Sequence, residues 1–490
     1  MNTSLKKVTW IILCSILVLS TVIARFQLRR GKTLQQEVAD TRRMLREQGF
    51  KTELADFNVT TDPLMRTRAA ALTVFENWLL LGAFGGELDF LPRVSDGTAS
   101  VVWKLDALPI GHGVLQWPGL HAVLDTNREA LDAACAAAVS GPIRFDVNFR
   151  DFDSHVAQHL LPLRYLSLNL SDRVMLELHD GNLDAAWTNL LSATRLATEW
   201  EPDPAAVSHQ IHSMLTEVAF QDGWQALQNR NWPDQKLAAL QQEWAAANFF
   251  TNVPEANALS RLQAVPICRS LSQRNAFFSF SFPRFAGQAI RHPSAAFSEF
   301  KDQINIMRYR GNEALIDEKN LLLLFRDREL EVRQATQSPT WAEMRAQPGV
   351  TNLIAFHSIC REMMVDVKSC QQFECMVCAY AARAEAQRRI IVTAIALERY
   401  RGKHGAYPAT LDSLAPEFLK GVPVDFMDGQ PLRYRLTNDG HFVLYSVGLD
   451  CVDDGGKLPL SGAPIIPTDD DENYIAPTNV DIVWPRPAVP

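Results

Sequence analysis

Three aspartates are packed into five positions directly after an alternating apolar segment. In "YSVGLDCVDDGG", residues 445–456, Asp450, Asp453 and Asp454 precede Gly455 and Gly456. Carboxylates this close repel one another unless water or a cation separates them. Calcium takes about six to eight oxygens, and a glycine-flexible acidic loop supplies them. The spacing is not that of an EF-hand, so a calcium loop here has irregular geometry. The other reading is a solvated turn whose carboxylates cap backbone N–H groups. A second acidic run, Asp469 to Tyr474, lies in a proline-bearing insert and reads as a solvated loop.

Histidines form two short-range pairs. His155 and His159 are four apart, and His209 and His212 three apart, so each pair shares a helix face and could chelate a metal ion. Val156, Ala157 and Gln158 separate the first pair, so the glutamate of the zinc-protease motif is missing. Asp153 is the natural third ligand. Such pairs also arise where helix faces simply pack together. Cys370, Cys375 and Cys378 form C-x4-C-x2-C. A redox pair works at a helix N-terminus, where the dipole lowers the thiol pKa. These cysteines fall inside a continuing helix and read as small core residues, with a disulfide or a metal-holding thiolate cluster as the alternatives. The chain has no P-loop, dinucleotide fingerprint or nucleophile elbow, and no Ser, His and Asp spacing selects a triad. No catalytic or cofactor-binding residue is assigned. The net charge of −8, without a long Lys/Arg run, excludes a general nucleic-acid binder.

The elements that must carry these groups begin at a membrane. Val8 to Ala24 is 17 residues without a charge. At about 1.5 Å per residue it just spans a thin bilayer core. A cleaved signal peptide is the alternative, because Val22 and Ala24 suit the small-residue positions before a cleavage site. Arg25, Arg29, Arg30 and Lys32 outnumber Lys6 and Lys7, which places the body in the cytoplasm by the positive-inside rule. A short charged start, an apolar core and a long body also describe an exported signal-anchor protein. Beyond Cys14 seven cysteines remain, an odd number that cannot all pair within one chain.

After the anchor, residues 33–48 read as a charged stalk helix, and "DPLMRTRAAALTVFENWLLLGAF" continues helical. Residues 86–120 read as loop with a short strand at "ASVVWKL". From 121 to 250 the periodicity is helical. Leu166, Leu170, Val174 and Leu178 make one apolar stripe. Gly181 then suits a left-handed helix end, and Asp184 the first turn of the next helix, which packs through Ala186, Leu190 and Ala193. This stretch weakly resembles a tetratricopeptide-type hairpin, without a clean repeat. Residues 270–300 are aromatic and proline-bearing, a hinge or buried loop. Helix resumes over 312–335 and 351–402, the last one running from about Ser369 to Arg401.

The C-terminal order is more specific. "ALERYRGKHGAYPATLDSL" ends a helix, "TNDG" turns between "LRYRL" and "HFVLYSV", the acidic loop follows, and "DIVW" closes the module. Residues 392–484 resemble the C-terminal globular part of the type II secretion major pseudopilin. The matching residues include Leu397, Tyr400, Gly405, Tyr407 and Pro408, then Pro423, Asp425, Gly429, Pro431 and Tyr434, then Tyr445, Ser446, Gly448, Asp450, Gly455, Asp481 and Trp484. The resemblance implies a long helix feeding a small antiparallel sheet, a calcium loop ligated by Asp450, Asp453, Asp454 and Asp481, and an extracytoplasmic location. The membrane segment lacks the pseudopilin glutamate and the Gly-Phe-type processing site.

The resulting expectation is a mainly α protein with an N-terminal transmembrane helix, a hairpin-type helical centre and a small C-terminal α+β domain. Residues 1–32 are the anchor, 33–120 stalk helix and irregular segment, 121–368 the helical domain, and 369–490 the long helix with the pseudopilin-like domain. The expected role is a non-enzymatic scaffold or interaction component of the bacterial inner membrane. Its bulk is extracytoplasmic, it contacts the membrane through residues 8–24, and it has a protein partner. The alternative is an extracytoplasmic metal-dependent hydrolase using the His pairs.

Overall fold

The stripe Leu166, Leu170, Val174 and Leu178 is almost fully buried, and it organises the helical centre. A computed structural model of the chain describes residues 25, 29–74, 93–95, 97–110, 113–149, 158–273, 294, 309–457 and 481–488. Residues 8–24, the expected anchor, lie outside these. Among the described residues no helix is long and apolar enough to cross a membrane. Most of the aromatic stretch 270–300 also lies outside.

In chain order the main helices are α1 (residues 29–47), α2 (Pro63–Leu72), α3 (Trp117–Thr126), α4 (Arg128–Val139), α5 (Leu160–His179), α6 (Leu183–Thr198), α7 (Ala206–Leu227), α8 (Asp234–Ala246), α9 (Val253–Gln273), α10 (Ala314–Ala335), α11 (Trp341–Arg345) and α12 (Arg361–His404). The strands are β1 (Arg93–Ser95), β2 (Thr98–Ala99), β3 (Leu108–Ile110), β4 (Gly113–Leu115), β5 (Arg433–Leu436), β6 (Phe442–Ser446), β7 (Ile482–Trp484) and β8 (Arg486–Pro487). The protein is mainly helical, with a small antiparallel sheet near its C-terminus. Its contacts divide it into two units that are discontinuous in sequence, rather than into consecutive stretches.

The smaller unit comprises Met1–Asp56, Asn257–Glu329 and Leu353–Gln372. Its core gathers Cys268, Tyr309, Leu321, Phe325, Met363 and Val367. The α1 helix, read as a stalk, buries Val38 and Leu45 with Val265 and Leu322. Arg42 pairs with Glu318 at 2.8 Å. Arg261 is fully buried and donates to the Lys51 carbonyl at 2.7 Å.

The larger unit comprises Phe57–Ala256, Leu330–Asn352 and Phe373–Pro490. Helices α5 and α6 fold back on each other through Asp180, Gly181 and Asn182. Gly181 takes φ +77°, the Asn182 N–H donates to Glu177 O at 2.8 Å, and the Gly181 N–H donates to Leu178 O at 3.3 Å. These are the two bonds of a Schellman motif, which satisfies the orphan carbonyls at the end of α5. Ala186, Leu190 and Ala193 are buried on α6. Asp184 ties α6 to α8 through Lys236 at 2.6 Å. Helix α7 is buried along most of its length. At Gly223 it passes so close to α12 that an added Cβ would meet Ile391 Cδ1 at 2.6 Å.

Two sequence expectations shift. "ASVVWKL" is not one strand: β2 ends at Ala99 and Val102–Lys104 forms a 3-10 turn. Gln225 of α7 draws this segment in, accepting from the Val102 N–H at 3.0 Å and donating to Ser100 O at 3.1 Å. The last helix starts at Arg361, earlier than Ser369, and residues 352–360 are not helical.

Helix α12 runs through a 3-10 turn at Leu411–Leu414 into the sheet β5–β6–β7. The β5–β6 hairpin turns at "TNDG", where Gly440 takes φ +76° and the Thr437 N–H donates to His441 O at 2.8 Å. Strand β6 is buried throughout, with Leu444 opposite Trp484 of β7. After β7 the chain adds β8 in parallel to β2, pairing Thr98 with Arg486. The Trp224 indole of α7 holds this tail by donating to Pro485 O at 2.9 Å.

Candidate functional site

The acidic loop hangs from β6 and is organised by hydrogen bonds. The fully buried Asp425, upstream of it, accepts from the Met427 N–H at 2.9 Å, Ser446 Oγ at 2.7 Å and the Val447 N–H at 3.0 Å, and faces Arg433 at 3.3 Å. Burial pushes its pKa up, and these donors pull it back. Asp453 accepts from the Gly455 N–H at 2.9 Å and the Tyr445 hydroxyl at 3.0 Å, and faces Arg433 at 3.3 Å. Asp450 accepts from the Val452 N–H at 3.1 Å. Asp481 reaches across to accept from the Gly456 N–H at 2.7 Å and the Asp454 N–H at 3.4 Å.

Asp450, Asp453 and Asp454 share this loop, and Asp481 joins it through the backbone N–H groups of Gly456 and Asp454. Asp481 is pushed up to about 6, first by burial and then by Asp453 and Asp454. Asp450 is raised, first by burial and also by Asp454. Asp453, by contrast, is lowered: burial raises it, and the Gly455 N–H, the Tyr445 hydroxyl and Arg433 outweigh that. Only the raised pair, Asp450 and Asp481, would be relieved by a divalent cation. Cys451 takes φ +60° and aims its Sγ at Met427 O, 3.3 Å away. Among the described residues, no group of three or more His, Cys, Asp or Glu side chains stands with metal-binding geometry.

His155 lies outside the described residues. His159, His209 and His212 are buried around Trp200 and Asp203. The Trp200 ring lies 6.2 Å from His159 and 5.4 Å from His212. His159 Nε2 is 3.4 Å from Asp203 Oδ2, and Asp203 also accepts from Ser208 Oγ at 2.8 Å. The Ala197 carbonyl, which can only accept, lies 2.7 Å from His212 Nε2, so that nitrogen carries the proton. Burial lowers His209 and His212 to about 4, so both are neutral at physiological pH. Cys375 and Cys378 are buried inside α12, and burial raises the Cys378 thiol well above its ordinary value. That is the setting of a packing residue rather than a nucleophile.

Sequence reading misses a polar cleft in the larger unit. It holds about 670 Å³ and is walled by the end of α7, the last turns of α12, residues 100–105, and the tail at Pro487 and Ala488. At its edge the Tyr407 hydroxyl donates to Glu398 Oε1 at 2.6 Å. Arg401 pairs with Glu398 Oε2 at 2.6 Å and lies 5.1 Å from the Tyr407 ring centre. Burial raises the Glu398 pKa, while Arg401, Tyr407 and Arg230 oppose the rise. His441 is lowered, first by burial, and Arg230, Arg401 and Arg486 reinforce that against Asp439. The i, i+3 spacing of Glu398 and Arg401 is visible in "ERYR", but their neighbours come from distant parts of the chain.

Compared with known proteins, the chain matches no family model, no curated protein and no solved structure.

Proposed function

We propose that this chain is a membrane-anchored, extracytoplasmic scaffold or interaction protein of the bacterial inner membrane, associated with the envelope or with secretion. In this reading its C-terminal domain is pseudopilin-like and takes calcium in the loop of Asp450, Asp453, Asp454 and Asp481. The observation that carries the reading is the order of the C-terminal elements. Helix α12 feeds the β5–β6 hairpin, the acidic loop follows β6, and β7 closes the sheet beside it. That is the order expected of a pseudopilin's globular part. Anchoring rests on the uncharged stretch Val8–Ala24. The hairpin of α5 and α6, continued by α7 and α8, supplies rigid helical surface for a partner. The test is a pair of topology reporters fused after Pro490, one active only outside the cytoplasm and one only inside it. Activity of the outside reporter supports the reading.

A second reading, a metal-dependent hydrolase, draws on one observation. The buried Nε2 of His209 has no hydrogen-bond partner among the described residues, and that of His159 meets only Asp203, at 3.4 Å and outside hydrogen-bond geometry. Stoichiometric zinc in the purified chain, lost in His209→Ala, would favour it.

A further inference from the structure

We propose that the cleft between α7, α12 and β8 binds an acidic peptide segment of a partner protein, with Arg230 and Lys104 gripping its carboxylates. This deepens the interaction-protein reading and rests on it.

The charge of the cleft opposes that of the chain. The chain carries a net −8. The cleft is lined by Lys104, Arg230 and Arg401 against the single carboxylate of Glu398. Arg401 is committed to Glu398 at 2.6 Å. Among the described residues, neither Lys104 nor Arg230 has a carboxylate within ion-pair distance. Arg230 is exposed on the turn after α7, and its field reaches both Glu398 and His441. Lys104 lies 5.2 Å from the Trp103 ring centre.

An adjoining cleft of about 570 Å³ shares Leu227, Asn229, Arg230, Glu398 and Arg401 as a common wall. Its own ions are closed into pairs: Arg399 with Asp234 at 2.7 Å, and Lys403 with Glu417. The uncompensated positive charge is thus concentrated at Lys104 and Arg230. Two joined clefts, each of the size that takes a drug-sized ligand, suit an extended chain better than one small anion. Leu105, Leu227 and Pro487 offer apolar wall between the charges. A long polyanion such as a nucleic acid would be repelled by the remaining surface, whereas a short acidic segment pays little for it.

The test is fluorescence anisotropy of a labelled, C-terminally amidated peptide alternating glutamate and leucine, titrated with the full chain in detergent. Arg230→Glu and Lys104→Glu should each weaken binding by about tenfold or more. Lys420→Glu makes the same charge change at an exposed site outside both clefts and should leave binding near wild type. Replacing glutamate by glutamine in the peptide should abolish binding, and a free C-terminal carboxylate that strengthens it would identify the chain end as the gripped group. Equal losses in all three variants, or none in Arg230→Glu, would overturn the proposal. So would tighter competition by inorganic phosphate or a single-stranded oligonucleotide. Because the assay is independent of topology, binding that persists while the reporters place the body in the cytoplasm would sink the location and leave the cleft standing.

Discussion

Glu398 is held from two sides: the Tyr407 hydroxyl donates to its Oε1 at 2.6 Å, and Arg401 meets its Oε2 at 2.6 Å. This ties the last turn of α12 to the chain that follows Gly405, just before the sheet begins. A hydrogen bond to a charged, half-buried group contributes about 1.5–3 kcal/mol. Tyr407→Phe keeps the ring against Phe442 (4.8 Å between centres) and removes only that bond. It is expected to lower the melting temperature measurably. Glu398→Ala strands both Arg401 and the hydroxyl and is expected to lower it further. A Tyr407→Phe protein melting with wild type would show that the hydroxyl contributes nothing.

The close approach of α7 and α12 gives a sharper test. Alanine for glycine normally favours a helix by about 1 kcal/mol. At Gly223 the new Cβ would meet Ile391 Cδ1 at 2.6 Å, and Ile391 is fully buried. Overpacking costs about 1–3 kcal/mol, so Gly223→Ala should destabilise. Ile391→Val deletes that Cδ1. The double variant should therefore melt above Gly223→Ala alone, and equal melting would remove the steric explanation.

Asp222 sets a pH dependence inside the helical centre. It accepts from Ser171 Oγ at 2.6 Å, and burial pushes its pKa up to about 7. Asp172 lies close by and is raised well above its ordinary value, first by burial and then by Asp222. A carboxyl raised in the folded state binds its proton more tightly there than in the unfolded chain. Stability contributed by the protonated form is therefore lost as pH rises from about 4 to about 7. Asp222→Asn should match wild type near pH 4 and melt higher at pH 8, by an amount worth on the order of 4 kcal/mol. The same difference at both pH values would contradict this.

Much of the helical centre is written in local spacing. Leu166, Leu170, Val174 and Leu178 repeat on one face, and Gly181 breaks the helix where only a left-handed residue fits, so the α5–α6 turn can be read directly. The β5–β6 hairpin is equally local, because "TNDG" specifies its own turn. What escapes reading depends on distant partners. "ASVVWKL" has strand composition, yet its conformation is decided by Gln225 of α7 and by β8 beyond the acidic loop. The acidic loop was visible as a cluster of like charges, and Asp481 joins it through backbone N–H groups that sequence alone does not position. The cationic cleft was invisible for the same reason: Arg230, Lys104 and Glu398 meet only in the fold.

Calcium should act on the loop of Asp450, Asp453, Asp454 and Asp481. Millimolar calcium is expected to raise the melting temperature of the purified chain, magnesium much less, because the smaller ion demands a stricter octahedron. Asp481→Asn keeps an acceptor for the Gly456 N–H but removes a charge, and should abolish most of the calcium response. A wild-type melting curve unchanged by calcium would remove the metal from the account and leave a loop capped by its own backbone.

The central claim is location, and the C-terminus reads it most directly. Alkaline phosphatase, which folds only outside the cytoplasm, and a fluorescent protein that matures only inside it are fused in turn after Pro490 of the full chain. The account predicts phosphatase activity and a dark fluorescent fusion. Bright fluorescence with inactive phosphatase would contradict it, and would show that Arg25, Arg29, Arg30 and Lys32 hold the body in the cytoplasm.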